Sequence, residues 1–165
     1  MKKLLSIILT AIIFISLFNF NTSATTYNAT LKNEVIISET TEYFEDGSSI
    51  TTTITQIVSQ NQTRATKTVS GSKTKTAKNS SGSVLYKFKV TGTFNVNIGV
   101  SATCTAVSCS ASDLASGWSL DSSSTSKSGN TANATGIFKY KVLGITTRTQ
   151  ETKASLSCDA NGTLS

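Results

Sequence analysis

The sequence predicts an all-β protein, two antiparallel sheets packed face to face as a β-sandwich, and two stretches carry that prediction. From Val84 to Val100 the even positions read Val84, Tyr86, Phe88, Val90, Gly92, Phe94, Val96, Ile98 and Val100, while the odd positions hold Leu85, Lys87, Lys89, Thr91, Thr93, Asn95 and Asn97. The rhythm returns at Ala132, with Ala134, Gly136, Phe138, Tyr140 and Val142 set against Lys139 and Lys141. A period of two belongs to a strand with one dry face and one wet face. Turn signals separate the apolar runs, and helical spacing is absent after residue 24, so about eight short strands are expected. A small β-barrel is the alternative closure.

The amino-terminal stretch reads differently. Lys2 and Lys3 precede an apolar run from Leu4 to Phe18, and Thr22, Ser23 and Ala24 follow as small residues. That is the layout of a secretory leader, with cleavage expected after Ala24 and the product secreted. The run is shorter than the roughly 20 residues of a membrane span, although Phe20 extends it and an uncleaved anchor is the rival reading. The 165-residue chain then divides into a leader (1–24), a linker with an edge strand around Val35–Ile37 (25–46) and one sandwich domain (47–165).

Within the domain, Glu45-Asp46-Gly47-Ser48 carries the Asp-Gly signal of a hairpin, with Ile50, Thr52 and Ile54 starting its second strand. Alternation of polar and small residues continues from Arg64 to Val69, and Gly71-Ser72 offers a turn. The run from Val84 is longer than an ordinary strand, which makes Gly92 a candidate bulge or bend and Asn97–Gly99 a turn. Ala102–Val107 and Asp113–Leu120 read as further strands, the second bearing Trp118, whose expected place is in the core near the cysteines. Asp121–Asn130 is almost entirely Ser, Thr, Lys and Gly and reads as a loop, and the last strand runs from Ile145 to Cys158.

Ser and Thr make up about a third of the chain, a composition shared by disordered stalks, and the ordered apolar alternation decides for folding. Fifteen Lys and Arg stand against nine Asp and Glu. The acids cluster early at Glu34, Glu39, Glu42, Glu45 and Asp46, and the bases Arg64, Lys67, Lys73, Lys75, Lys78, Lys87 and Lys89 follow. Three cysteines lie beyond the leader, in a compartment where disulfides persist. Cys104 and Cys109 are an odd number of residues apart and would face opposite ways on one strand. Cys104–Cys158 is therefore the preferred bridge, worth on the order of 4 kcal/mol for a loop of about 53 residues, with Cys109 left as the free thiol.

The chain contains no histidine, which removes Ser-His-Asp and Cys-His catalysis and the zinc helix motifs. Phosphate-loop, Walker and calcium-loop spacings are absent, and neither a metal nor another cofactor is expected. Asp113, Asp121, Glu151 and Asp159 are the acids from which a glycosidase pair could be drawn, but all four sit in turn-like or solvent-facing contexts, so no catalytic residue is expected. Nucleic-acid binding would need exposed aromatics between the lysines, whereas Tyr86, Phe88, Phe138 and Tyr140 fall on the dry faces. If the strands of Lys87, Lys89, Lys139 and Lys141 are neighbours, those four form a face of like charge that an anionic partner would offset. They are the candidate ligand-binding residues.

Glu45-Asp46-Gly47-Ser48, Tyr86-Lys87-Phe88-Lys89-Val90-Thr91-Gly92-Thr93-Phe94, Ala102-Thr103-Cys104, Ser128-Gly129-Asn130-Thr131-Ala132, Val142-Leu143-Gly144 and Leu156-Ser157-Cys158-Asp159-Ala160-Asn161-Gly162-Thr163-Leu164 together resemble an uncharacterised family of small secreted β-rich proteins of Gram-positive bacteria. The resemblance implies that Cys104 and Cys158 belong to the framework and that Cys109 departs from it, and it brings no activity. The expected function is a secreted, non-enzymatic binding or structural module of unknown ligand, with an anionic cell-wall or host glycan polymer as the candidate partner and neither nucleic acid nor, once the leader is removed, membrane as partner. The alternative is a bacteriocin-like or toxin effector acting on another cell's surface.

Overall fold

A computed structural model describes residues 33–58 and 65–165, within a compact unit spanning Lys32–Ser165. The expected leader and the first part of the expected linker lie outside the described residues. Eight strands follow one another: β1 (Asn33–Tyr43), β2 (Ser49–Val58), β3 (Thr66–Lys78), β4 (Val84–Asn97), β5 (Ser101–Ser112), β6 (Trp118–Ser128), β7 (Thr131–Val142) and β8 (Ile145–Ser157). They form a five-stranded sheet in the order β1-β2-β3-β4-β5 and a three-stranded sheet in the order β6-β7-β8. Every pairing is antiparallel. The protein is an all-β sandwich, and the sheets do not close into a barrel.

The alternation read from the sequence builds the interface between the sheets. Tyr86, Phe88, Val90, Phe94 and Val96 of β4 are buried, as are Ala132, Ala134 and Phe138 of β7 and Ala154 and Leu156 of β8. Each large side chain hidden in this way contributes about 1.5–3 kcal/mol relative to exposure. Tyr86 stacks on Phe138 with ring centroids 3.8 Å apart, and Phe88 meets Phe138 edge-on at 5.8 Å. The two similar segments around Lys87 and Lys139 are thus central strands of opposite sheets, obeying one rule of aromatics inward and lysines outward. Among the described residues Tyr86 is the one buried aromatic with a hydroxyl, and that group shares a 2.9 Å hydrogen bond with Thr152.

Three local expectations are corrected. Gly71 is no turn; it lies in the middle of β3, because a Cβ there would stand 2.3 Å from both Leu164 Cδ1 and the Thr55 carbonyl oxygen. Gly92 is no bulge either, pairing in register with Gly71 on one side and Val107 on the other. A Cβ at that position would meet the Phe94 ring at 2.7 Å and Ala132 at 3.1 Å, so the residue lets the sheets approach. The register shift falls opposite, in β5, between the partners of Thr93 and Phe94. Finally, Asp121–Ser128 is not a loop but most of β6, laddered against β7. Both of its faces are exposed over that length, so no apolar alternation could announce it.

β1 forms the edge of the larger sheet, so from Asn33 onward the expected linker is strand. Asp46 caps the β1–β2 turn by accepting the Ser48 backbone N–H at 2.9 Å. Strand β8 lies over β3 and β4, β7 over β4 and β5, and β6 beside β5. The larger sheet therefore runs past the smaller one at β1 and β2. On the opposite side the sheets are stitched: Cys104 N–H donates to the Gly129 carbonyl at 2.8 Å and Lys127 Nζ to the Thr105 carbonyl at 2.8 Å. The sandwich is closed along β5–β6 and open along β8.

Candidate functional site

The four lysines singled out in the sequence do not share a face. Lys87 and Lys89 point outward from the five-stranded sheet and Lys139 and Lys141 outward from the three-stranded sheet, since the aromatics between them pack against one another across the core. Two are already engaged: Lys87 bridges Asp113 at 2.7 Å and Lys139 bridges Asp121 at 2.9 Å. The single lysine face expected from the alternation is replaced by two separate, partly neutralised surfaces.

The acids are likewise dispersed. Asp113 and Asp121 hold those lysines, Glu151 pairs with Lys153 at 3.3 Å, and Asp159 closes the carboxy-terminal turn by accepting the backbone N–H groups of Asn161 and Thr163, both at 2.8 Å. The Thr163 and Asn161 N–H groups hold the Asp159 carboxyl below its usual range, as the Ser48 bonds do for Asp46. None of the four lines either of the two openings described below.

The cysteines also differ from expectation. Cys104, Cys109 and Cys158 are all free thiols, so the Cys104–Cys158 bridge is not formed. Each buried thiol donates instead to a carbonyl of its own segment, Cys104 to Ala106 at 3.4 Å and Cys158 to Asp159 at 3.6 Å. Cys104 and Cys158 stand on either side of the β6–β7 turn, their backbone N–H groups taken by the adjacent carbonyls of Gly129 and Asn130. Burial pushes both thiols up, Cys158 to about 11. Cys109 packs half-buried against the core. Trp118 is in the core as expected, but against Tyr86 at 5.2 Å and Tyr140 at 5.5 Å, near the β5–β6 loop and at the opposite end from the cysteines.

The open side holds an arrangement that the sequence did not announce. In the β3–β4 register Lys73 lies opposite Val90 and Lys75 opposite Phe88, and directly paired residues share a face. Val90 and Phe88 are buried between the sheets, so Lys73 and Lys75 point to the inner face. Across β2 they adjoin Ile54 and Thr52, and Thr40 of β1 follows in the same row. These residues form a ledge beneath the free edge of β8, whose inward row is Arg148, Gln150 and Thr152, opposite Tyr140, Phe138 and Gly136.

Three features give the ledge its chemistry. Neither lysine makes an ion pair with a described residue. Partial burial lowers the Lys73 ammonium pKa, and the neighbouring Lys75 charge lowers it further. Arg148 brings a third cation whose field reaches the Tyr86 hydroxyl and Asp46. Beside it opens a cleft of about 190 Å3 lined in part by Phe44, Ile50, Ala77, Arg148 and Gln150. The other end of the ledge is filled by the carboxy-terminal tail, where Leu164 packs on Gly71. Such a surface offers charge-assisted donors to phosphate, sulfate or carboxylate groups presented along a chain.

A second, shallower depression of about 410 Å3 lies on the outer face at the opposite end, lined by Thr66, Thr68, Asn95, Asn97 and Thr103 among others. It is polar, and Lys67 at its rim lies opposite buried Val96, so its side chain turns to the inner face, toward Gly162. Comparison with known proteins adds nothing to this geometry: no family model matches the chain, and neither a curated protein nor a solved structure does.

Proposed function

We propose that the protein is a secreted, non-enzymatic binding module that takes an anionic polymer of the cell wall or of a host glycan along the ledge of Lys73, Lys75 and Arg148. The observation that carries this reading is the pair of inward-facing lysines without a carboxylate. Like charges side by side on one sheet face destabilise the fold unless solvent or a partner offsets them. A strand edge also commonly uses inward charge to discourage pairing with other strands, but β3 is an interior strand, so that explanation does not apply. Thr40, Thr52 and Gln150 flank the cations with uncharged hydrogen-bonding groups, which suits a polyhydroxylated chain bearing anions. The ion-paired or turn-bound state of Asp113, Asp121, Glu151 and Asp159 supports binding over turnover.

The test is a titration with wall teichoic acid, with a neutral glycan as control. Lys73→Ala/Lys75→Ala should bind about tenfold more weakly or worse, with thermal stability no lower than that of wild type, while Lys87→Ala/Lys139→Ala binds like wild type. Equal affinity of all three proteins, or loss confined to the outer lysines, overturns the ledge as the site. Killing of target cells by the purified protein would replace this reading with that of an effector.

A further inference from the structure

The β7–β8 hairpin ends in Val142-Leu143-Gly144-Ile145, four residues without a polar side chain. Val142 and Ile145 face each other across the two-residue turn, and Leu143 and Gly144 both have positive φ, 49° and 82°. That is the turn in which the first central position favours Asn, Asp or Gly, because an unbranched polar side chain or none at all tolerates the left-handed region and Leu does not. Here Leu occupies it and is 97 % exposed, with Ile145 at 70 % and Val142 at 46 %. Nothing in the fold benefits: no described residue covers the Leu143 side chain, and its backbone is strained. Strain combined with full exposure of a large apolar group marks a position kept for something outside the domain.

We infer that this tip docks into the headgroup boundary of an anionic lipid bilayer. Val142 and Ile145, directly paired, share one side of the tip and Leu143 stands almost wholly exposed beyond them, so a soft apolar medium covers the projecting turn without a shaped counterpart, whereas a protein partner would need a matching hole. The charges behind it fit the same occupant. From the turn back to the level of Phe138 and Gln150 the hairpin carries Lys139, Lys141 and Arg148 and no acid. Lys139 is bridged to Asp121 and Arg148 faces Asp46, which leaves Lys141, exposed and next to Val142, uncommitted. A cation just behind an apolar tip sits at headgroup depth and gains about fivefold in affinity for an anionic surface. The chain would dock by this tip and not span, which revises the expectation that it has no membrane contact after its leader is removed. This inference shares only Arg148 with the polymer ledge, whose two lysines lie on another strand and another sheet.

Two variants of the full chain test it. Leu143→Trp places a reporter at the tip, the only other tryptophan being buried Trp118. With vesicles of phosphatidylglycerol and phosphatidylcholine in equal parts, its emission should shift to the blue and be quenched by brominated acyl chains, much less so with phosphatidylcholine alone. Leu143→Asn suits the left-handed turn, so it should unfold at a higher temperature than wild type while the hairpin's vesicle affinity falls about tenfold or more. Lys73→Ala/Lys75→Ala should leave the tip's fluorescence response intact, which separates failure of the ledge from failure of the tip. Unshifted emission from the Leu143→Trp variant, undiminished vesicle binding by Leu143→Asn, or a blue shift that grows with protein concentration in the absence of lipid would overturn the inference, the last in favour of a second copy of the chain.

Discussion

The two sides of the sandwich solve opposite problems with the same strands. Along β4 and β7 the inward row is Tyr86, Phe88, Val90 and Phe138, fully dry and interlocked. One strand away, the inward row of β3 reads Lys67, Val69, Gly71, Lys73, Lys75 and Ala77, where Lys73 and Lys75 stand in the middle of the line of the core. The difference follows from sheet width. A five-stranded sheet facing a three-stranded one leaves β1 and β2 uncovered, and residues at the margin are neither fully wet nor fully dry. What packs at the centre of the interface becomes a site at its margin: stability resides in the aromatic rows, and the means of recognition resides in the overhang.

That contrast is broken or sharpened by substitution, and the largest effect belongs to the aromatic rows at the centre. Phe138→Ala should cost about 3–5 kcal/mol in denaturant unfolding, since it removes the ring on which both Tyr86 and Phe88 pack. Gly71→Ala comes next, at about 1–3 kcal/mol, because its Cβ would press on the Thr55 carbonyl and Leu164 in a backbone that cannot yield. Tyr86→Phe should cost about 1 kcal/mol by leaving the Thr152 hydroxyl without its partner. At the small end, breaking the outer Lys87–Asp113 pair with Lys87→Ala should change stability by less than about 1 kcal/mol. A ranking in which an outer lysine outweighs Gly71 would contradict the division of labour.

Alkaline titration sharpens the comparison further, because the two sides shift in opposite directions. Cys158 holds its proton in the folded chain up to about 11 against an ordinary 9.0. Below pH 9 both states are protonated and the contribution is intact; between 9 and 11 the unfolded chain loses the proton first, so stability falls as pH rises. Lys73 behaves conversely. Its folded pKa lies below 10.5, so just under that value the native state releases a proton that the unfolded chain retains, and stability rises with pH. Cys158→Ala should flatten the decline above pH 9, and Lys73→Met should remove the opposing rise.

Much of this was legible in the chain itself. The hairpin at Asp46-Gly47, the buried parity of β4 and β7 and the two-sheet closure all follow from local pattern, because a strand's two faces are written into alternate residues. The ledge was not legible, although one signal was present: Lys73 and Lys75 share parity with Val69 and Ala77, so a strand drawn through Gly71 turns both lysines inward. Reading Gly71-Ser72 as a turn broke that parity. β6 escaped for the opposite reason, since Ser and Thr on both exposed faces give no contrast to read. Alternation alone turns the lysines of β4 and β7 outward, but whether they share a face depends on which strands share a sheet, a long-range pairing that local alternation does not encode.

The most direct test of the central claim is hydrogen exchange on the polymer complex. With wall teichoic acid bound, amide exchange should slow along β2, β3 and the free edge of β8, around Thr52, Lys73, Lys75 and Arg148, while the outer strands β5 and β6 exchange as before. Protection confined to β5 and β6, or to the outer faces bearing Lys89 and Lys141, with β8 unaffected, would contradict it.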